Sequence, residues 1–247
     1  LALGGFLVVA SSNGINQIIE KDFDKLMTRT ENRPIAQNRM TILEAGIFCA
    51  ITGIVGVSIL GLYLNTYSAL LGFASLMSYA FIYTPLKKVS SLAVLVGAFP
   101  GAIPPLLGWV AATGEFTSAA IVLFLLQFFW QFPHFWAIGW LQYEEYKKAG
   151  FMMLPTNAKD KNAAKQIIFY TLIMILVSVV PVLKVSGDFY IHPITAIVVA
   201  LLGFVMLYFG IKLHKTEQNT DARKLMLASV VYITIVQVIY VIDKFLQ

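Results

Sequence analysis

Eight stretches of the chain are apolar over the length that a helix needs to cross a bilayer. A spanning helix takes about 20 mostly apolar residues, since each residue adds about 1.5 Å and the hydrocarbon core is about 30 Å thick. The stretches lie at about 1–20, 41–62, 66–84, 92–112, 119–141, 164–184, 193–212 and 225–245. The pattern predicts an all-α fold, a polytopic membrane helix bundle with eight transmembrane helices.

Composition supports the same class. Of the 247 residues, 58% are hydrophobic and only 13% are charged, which is too little charge to cover a soluble domain of this size. No polar stretch divides the chain, so we expect a single domain over 1–247. The sequence enters an apolar run at Leu1, which leads us to expect that an N-terminal helix is missing. Cys49 is the only cysteine, which excludes an internal disulfide and a thiolate metal cluster.

The basic residues are distributed asymmetrically between the loops. Of the 18 Lys and Arg residues, 16 fall in loops on one side of the predicted bundle, and only Lys184 and Lys244 fall on the other. The positive-inside rule makes the rich side cytoplasmic. The net charge of +5 is therefore a topology signal, and we expect no nucleic-acid partner. The predicted location is the bacterial plasma (inner) membrane, with the functional loops facing the cytoplasm.

Acidic residues cluster at the cytoplasmic end of the first span. If the segment is helical, Asn16, Glu20 and Asp24 are spaced i, i+4, i+8 and form a column on one face. Asn13 falls near the same stripe, whereas Asp22 points away from it. Two carboxylates and an amide oxygen are hard oxygen donors suited to Mg²⁺, which keeps other positions for water and phosphate oxygens.

Two arginines follow this acidic column. Arg29 and Arg33 are four residues apart, and a pair of guanidinium groups beside a metal site is suited to a diphosphate. The alternative is a solvated cytoplasmic loop whose arginines only obey the positive-inside rule. The joint pattern of amide, two acids and two arginines favours the diphosphate site.

The fourth span is unusually rich in helix breakers. Residues 97–109 contain three prolines and three glycines, which predicts irregular backbone lining a cavity. A simply kinked packing helix is the alternative.

The fifth span contains a histidine among tryptophans. His134 lies between Trp130 and Trp136, where it would be a haem ligand or an acid–base group. A hydrogen bond to a neighbouring helix is the other interpretation. Glu144 and Glu145 follow at the cytoplasmic edge, either converging with the first acidic cluster on one substrate or serving as plain loop charges.

Several motifs together resemble those of the protohaem IX farnesyltransferases (haem O synthases), a branch of the UbiA-type intramembrane prenyltransferase superfamily. The motifs are Asn16-x₃-Glu20-x-Asp22-x-Asp24, Arg29-Thr30-x-Asn32-Arg33-Pro34, Tyr83-Thr84-x-Leu86-Lys87, Gly101-Ala102-x-Pro104-Pro105-Leu106-x-Gly108-Trp109, Pro133-His134-Phe135-Trp136, Ala149-Gly150 and Met153-Leu154-Pro155. The acidic motif indicates only the superfamily. The Pro-Pro-Leu-x-Gly-Trp and Pro-His-Phe-Trp segments resemble the haem branch.

The resemblance implies an architecture and an activity. The family fold has nine helices, of which this chain would carry eight, around a central chamber capped by cytoplasmic loops. The implied reaction moves the farnesyl group of farnesyl diphosphate to a vinyl group of haem b, with Mg²⁺ as cofactor and haem as substrate. Further implied partners are the lipid bilayer and a haem A synthase or terminal oxidase assembly.

The resemblance also assigns roles to residues. Mg²⁺ is assigned to Asn16, Glu20 and Asp24, and the remaining diphosphate charge to Arg29, Arg33 and Lys87. The substrate-binding set is Asn13, Trp130, His134, Trp136, Glu144 and Glu145. Two departures from the family pattern stand out: Glu20 replaces a common aspartate, and Glu144-Glu145 replaces a second Asp-x₃-Asp motif.

Two alternatives remain at the sequence level. A prenyltransferase of the same fold with an aromatic or quinone-precursor acceptor would keep the metal site without needing His134. A transporter would explain eight spans and a broken helix, but its charges would lie near the bilayer midplane rather than at one edge.

Overall fold

The computed structural model describes residues 1–247, which form helices joined by loops, without β-strands. Eight helices are long and apolar enough to span a membrane, as predicted. The α-helices are α1 (Ala2–Ile19), α2 (Lys21–Asp24), α3 (Ile42–Tyr63), α4 (Thr66–Met77), α5 (Thr84–Leu86), α6 (Ala93–Thr113), α7 (Ser118–Leu141), α8 (Tyr143–Ala149), α9 (Lys161–Val179), α10 (Pro193–Thr216) and α11 (Asn219–Phe245). A π-helix, Ser78–Tyr83, joins α4 to α5, and a 3₁₀-helix, Val180–Leu183, extends α9.

The last helix begins before its predicted start. The apolar pattern places it at about 225, whereas α11 begins at Asn219. Asp221 in its first turn is buried, accepts a hydrogen bond from the Thr216 hydroxyl at 2.7 Å, and pairs with Lys212 at 3.5 Å. These contacts with the end of α10 stabilise two polar turns that hydropathy alone does not detect.

The outer surface of the spans is apolar. Large hydrophobic side chains such as Phe6, Ile54, Phe204 and Val241 are more than half exposed, and every span has at least one exposed large hydrophobic residue. In water such a surface would aggregate, but lipid is its natural solvent. The chain is an integral membrane protein.

The chain divides into two compact units. The first comprises Leu1–Glu115 and Tyr143–Met153, and the second comprises Phe116–Gln142 and Leu154–Gln247. In the first unit α1 packs against α3 and α4, and α4 packs against α6. In the second, α7 packs against α9 and α11, and α10 packs against the same two helices.

Helices α1 and α3 approach each other at backbone distance. A Cβ built on Gly56 would lie 2.9 Å from the Val8 nitrogen and 3.0 Å from the Gly4 carbonyl oxygen. Small residues at such a crossing are the usual device of membrane bundles, where close packing replaces the hydrophobic effect as the driving force. The crossing positions α1, whose C-terminal end leads into the acidic column.

We expect Gly56→Ala to weaken this crossing, because the new methyl group meets backbone atoms that cannot move aside. The purified variant should unfold several degrees below the parent on heating in detergent, a shift typical of about 1 kcal/mol or more. Gly46→Ala, on the same helix, is the matched control, since a Cβ at Gly46 meets nothing within 4 Å. An unchanged unfolding temperature for Gly56→Ala would contradict the close packing.

The proline-rich span is a continuous helix, so the prediction of irregular backbone was wrong and the packing-helix alternative holds. Pro104 lacks the N–H that would bond to the Pro100 carbonyl in a regular helix. The Ser75 hydroxyl, from α4, lies 3.4 Å from that carbonyl oxygen and partly replaces the missing donor. A neighbouring serine thereby supports a helix with three internal prolines.

Candidate active site

The acidic column forms as the helical spacing predicts. α1 ends at Ile19, but helical hydrogen bonds continue from Glu20 N–H to Asn16 O (2.9 Å) and from Asp24 N–H to Glu20 O (2.8 Å). Asn16, Glu20 and Asp24 are buried, with exposures of 4%, 4% and 1%. Asp22 points the other way, and its exposed side chain pairs with Lys25 at 3.1 Å.

Each buried carboxylate of the column faces a cation of the chain. Lys87 Nζ lies 2.5 Å from Glu20 Oε1, and Arg33 Nη1 lies 2.9 Å from both carboxylate oxygens of Asp24. Burial lowers the pKa of Lys87, and the neighbouring Glu20 carboxylate opposes that shift. Buried charges are costly unless they are paired, and each of these two acids has a cationic partner within the protein.

The amide of Asn16 is oriented by its neighbours. Its Nδ2 donates to Thr84 Oγ1 at 3.2 Å, and the Thr84 hydroxyl donates to the Tyr79 carbonyl at 2.9 Å. Because the amide nitrogen is engaged in this hydrogen bond, the carbonyl oxygen of Asn16 is the atom of the side chain that can coordinate a cation. The Asn13 side-chain oxygen is 3.4 Å from the Tyr79 hydroxyl, at the exposed edge of the same stripe.

A π-helix brings Thr84 and Lys87 to the column. Pro85 cannot donate a helical hydrogen bond, and the chain before it is wound as a π-helix over Ser78–Tyr83. Such turns shift the register of the residues that follow, and they occur often at functional sites. The Tyr83-Thr84-Pro85 motif was visible in the sequence, but Thr84 was not identified as a partner of Asn16.

The donor set matches a magnesium ion carried with a diphosphate. Asn16, Glu20 and Asp24 offer two carboxylates and one amide, all oxygen donors, whereas no group of three His, Cys, Asp or Glu residues that could hold a metal ion forms anywhere in the chain. Such a partial set leaves coordination positions for phosphate oxygens and water, which Mg²⁺ retains. The residues therefore fit Mg²⁺ that arrives with its substrate better than a permanently caged ion.

Arg29 is exposed and forms no ion pair, unlike Arg33. The positive charge of its guanidinium opposes the rise in the Tyr146 pKa that burial causes. The intervening loop is held by Thr30, whose buried hydroxyl donates to the Asp24 carbonyl at 3.0 Å. Arg29 is thus a cation near the column that no carboxylate neutralises.

The segment 143–153 is fastened to this site by several contacts. Glu145 accepts hydrogen bonds from the Thr28 N–H at 2.7 Å and from Lys148 at 2.9 Å, and these bonds lower its pKa. Met152 N–H donates to the Lys87 carbonyl at 2.7 Å. Glu145 therefore ties α8 to the loop that carries Thr28, while Glu144 is exposed. Substrate binding by these two glutamates stays a prediction.

Aromatic rings cover the two lysines. Lys87 Nζ is 4.8 Å from the Tyr83 ring centroid and 5.5 Å from that of Phe151, and Lys88 Nζ is 3.5 Å from the Phe23 centroid. Phe23 and Phe151 meet edge to face at 5.9 Å. Cation–π contacts of this kind attract the ammonium groups to the ring faces and help to hold them in place.

The second unit contains His134, Trp130 and Trp136. Trp130 and His134, one helical turn apart on α7, stack at 4.5 Å with 16° between their planes. Their partner is Ser229 on α11: Trp130 Nε1 donates to its carbonyl at 2.7 Å, and His134 Nδ1 lies 2.8 Å from its hydroxyl oxygen. No sequence pattern indicated a role for Ser229, an ordinary small residue in an apolar span.

Trp136 belongs to a different cluster of the same unit. Its ring packs against Phe132 at 5.3 Å and against Tyr170 at 5.2 Å, and its buried Nε1 has no hydrogen-bond partner. The structure therefore brings Trp130, but not Trp136, to His134.

Comparison with known proteins decides the family. The sequence model of the UbiA prenyltransferase family matches residues 1–233. The chain belongs to this family. It is also 53% identical over 247 residues to a protein of Flavobacterium psychrophilum named protoheme IX farnesyltransferase, with all of this chain and 82% of that protein covered. The predicted membership of the UbiA superfamily is confirmed, and the chain is a prenyltransferase.

Solved structures of UbiA-type proteins share the fold. A digeranylgeranylglyceryl phosphate synthase superposes with a TM-score of 0.78 at 21% identity, covering 98% of this chain and 83% of that one. A UbiA homologue from Archaeoglobus fulgidus bound to GPP and Mg²⁺ superposes with a TM-score of 0.62 at 15% identity, covering 97% and 88%. At these identities the likeness concerns the fold alone, and it agrees with the predicted helix bundle.

Proposed function

We propose that this chain transfers the farnesyl group of farnesyl diphosphate to a vinyl group of haem b, giving haem O and diphosphate. The observation that carries the proposal is the buried column of Asn16, Glu20 and Asp24 with its paired cations Lys87 and Arg33. The name of the 53% identical relative supports the choice of prenyl donor and acceptor. The Mg²⁺ and prenyl diphosphate named for the Archaeoglobus homologue support the same donor chemistry.

We propose that Asn16, Glu20 and Asp24 hold Mg²⁺, which would supply Lewis acidity to the leaving diphosphate. Lys87 and Arg33, each now paired with an acid, would turn to phosphate oxygens once the acids bind the metal. Arg29, which has no carboxylate partner, would add the remaining positive charge. Cations positioned where negative charge develops lower the barrier to ionisation of the C–O bond.

The rest of the reaction is a carbon–carbon bond formation. The C–O bond breaks with its electron pair leaving on diphosphate, and the vinyl π electrons attack the allylic cation. Water adds to the resulting cation beside the porphyrin and loses a proton, which gives the hydroxyethylfarnesyl group. We propose that aromatic rings of α7 such as Trp130 stabilise the cation, each by about 0.5–2 kcal/mol.

Orientation and partners complete the proposal. We propose that the protein lies in a bacterial inner membrane and that the side with 16 of the 18 Lys and Arg residues faces the cytoplasm. The diphosphate group of the substrate is soluble on that side. We further propose that the product passes to a haem A synthase or a terminal oxidase assembly. This last step rests on the resemblance to the haem branch.

A product assay tests the function. Purified protein in lipid nanodiscs would receive Mg²⁺ and farnesyl diphosphate with either haem b or 4-hydroxybenzoate, and products would be identified by mass spectrometry. We expect haem O only in the first mixture and no product after chelation of Mg²⁺ with EDTA. Prenylated 4-hydroxybenzoate without haem O would overturn the assignment in favour of an aromatic acceptor.

The two arginines should respond differently to conservative replacement. Arg29→Lys keeps the charge but loses the planar fork, so we expect the KM for farnesyl diphosphate to rise about tenfold, the equivalent of one charge-assisted hydrogen bond of about 1.5 kcal/mol. Arg33→Lys should raise KM similarly and also lower the unfolding temperature, because Arg33 contacts both oxygens of buried Asp24. Steady-state kinetics and thermal unfolding check both, with Arg39→Lys as the control. An unchanged KM in both variants would mean that these arginines only obey the positive-inside rule and do not bind the diphosphate.

A further inference from the structure

One buried serine holds both rings of the Trp130–His134 stack. Ser229 is fully buried in α11. Its backbone carbonyl accepts the Trp130 indole N–H at 2.7 Å, and its side-chain oxygen lies 2.8 Å from His134 Nδ1. The position and rotation of the imidazole are therefore set by a residue that the proposed reaction does not otherwise use.

The hydrogen bonds around Ser229 also determine which ring nitrogen of His134 carries the proton. A serine hydroxyl has one hydrogen to donate and lone pairs to accept. The Met226 carbonyl oxygen, 2.6 Å from Ser229 Oγ, can only accept, so the hydroxyl hydrogen points there. Toward His134 the same oxygen is then an acceptor, and Nδ1 must be the donor.

We infer that Ser229 is a positioning residue that keeps His134 in the Nδ1–H tautomer, with a free lone pair on Nε2 directed to haem iron. Nε2 has no hydrogen-bond partner within the protein, and the side chain is only partly buried. A neutral imidazole ligates iron through its unprotonated nitrogen, and a hydrogen bond from the other nitrogen fixes the tautomer. The haem part of this inference rests on the proposed function, whereas the tautomer does not.

The tautomer can be tested without haem. Full-length protein labelled with ¹⁵N-histidine would be examined by NMR, and the His134 signals assigned by their loss in His134→Gln. We expect Nδ1 protonated and Nε2 unprotonated in the parent. Ser229→Ala should shift protonation towards Nε2, and Ser229→Thr should restore the parent pattern by keeping a hydroxyl. A parent with Nε2–H, or a Ser229→Ala variant with unchanged signals, would overturn the inference.

Ser178 provides a matched control in the same unit. It is also fully buried, its hydroxyl donates to the Ile175 carbonyl at 2.7 Å, and its own carbonyl accepts a hydrogen bond from the Tyr240 hydroxyl. Ser178→Ala therefore removes an equivalent hydroxyl without touching His134. Its histidine signals should match those of the parent, and its loss of thermal stability should match that of Ser229→Ala.

Haem titration then tests the role of the lone pair. By absorbance, Ser229→Ala should bind ferric haem b about 10–100-fold more weakly than the parent, the usual effect of removing a partner that orients a metal ligand. Binding of metal-free protoporphyrin should not change, and Ser178→Ala should affect neither. If the tautomer shifts in Ser229→Ala while haem affinity stays constant, iron ligation by His134 is overturned. Haem O formation by that variant would show that the farnesyl transfer proposal survives.

Discussion

Replacing Asp24 by Asn should abolish farnesyl transfer while leaving the protein folded and inserted. Asn has the size of Asp but lacks its charge, so the column loses one of its two carboxylates and with it much of the Mg²⁺ affinity that we propose for it. We expect kcat/KM to fall by about three orders of magnitude, comparable to removing a main electrostatic stabiliser of a transition state. Turnover with haem b and farnesyl diphosphate, measured across a Mg²⁺ titration, checks this.

Asp22→Asn is the matched control for this experiment. Asp22 lies two residues away on the same short helix but is exposed, and its pair with Lys25 at 3.1 Å is a surface ion pair. Such pairs contribute little, so activity should stay within about twofold of the parent. If Asp22→Asn were inactive and Asp24→Asn active, the assignment of the buried column to the metal would be wrong.

The paired arrangement of the column balances its buried charges within the protein. Two carboxylates at 4% and 1% exposure would be costly to bury alone, and Lys87 and Arg33 balance them one to one. The same four side chains are the groups that a metal diphosphate needs, acids for the cation and bases for the anion. Exchange of partners on binding would therefore require no new charge in the site.

The membrane spans were predictable because their signal is local. Each span is read from about 20 consecutive residues, and the observed helices agree with the expected positions, apart from the early start of α11. The acidic column was predictable for a similar reason, since i, i+4, i+8 spacing places residues on one face of any helix. Both inferences need only the chain's own periodicity.

Contacts between distant segments were not predictable from periodicity. Three features depend on which segments meet: the π-helix before Thr84, the hydrogen bond from the Thr28 N–H to Glu145, and the contact between Ser229 and His134. The proline-rich span shows the same limitation in reverse. Its composition predicted irregular backbone, yet a single Ser75 hydroxyl from a neighbouring helix helps to support a continuous helix there. Tertiary packing overrode a strong local signal.

His134 carries the second large effect that we predict, because it separates a haem substrate from other prenyl acceptors. His134→Ala should weaken binding of haem b at least about 100-fold and stop formation of haem O, since the proposed iron ligand is gone. Binding of farnesyl diphosphate, measured by calorimetry, should persist, because no diphosphate contact is assigned to the imidazole. Metal-free protoporphyrin should bind the parent and the variant alike.

The structure allows this result to be separated from simple misfolding. After His134→Ala the Ser229 hydroxyl still donates to the Met226 carbonyl, so the change leaves no buried donor unpaired. His192→Ala is the control: its ring caps α10 by accepting from the Ile194 N–H at 3.3 Å, and its loss should leave haem binding intact. Equal haem affinity in parent and His134→Ala would end the ligand assignment. Joint loss of haem binding, farnesyl diphosphate binding and thermal stability would instead mean that His134 serves only to pack α7 against α11.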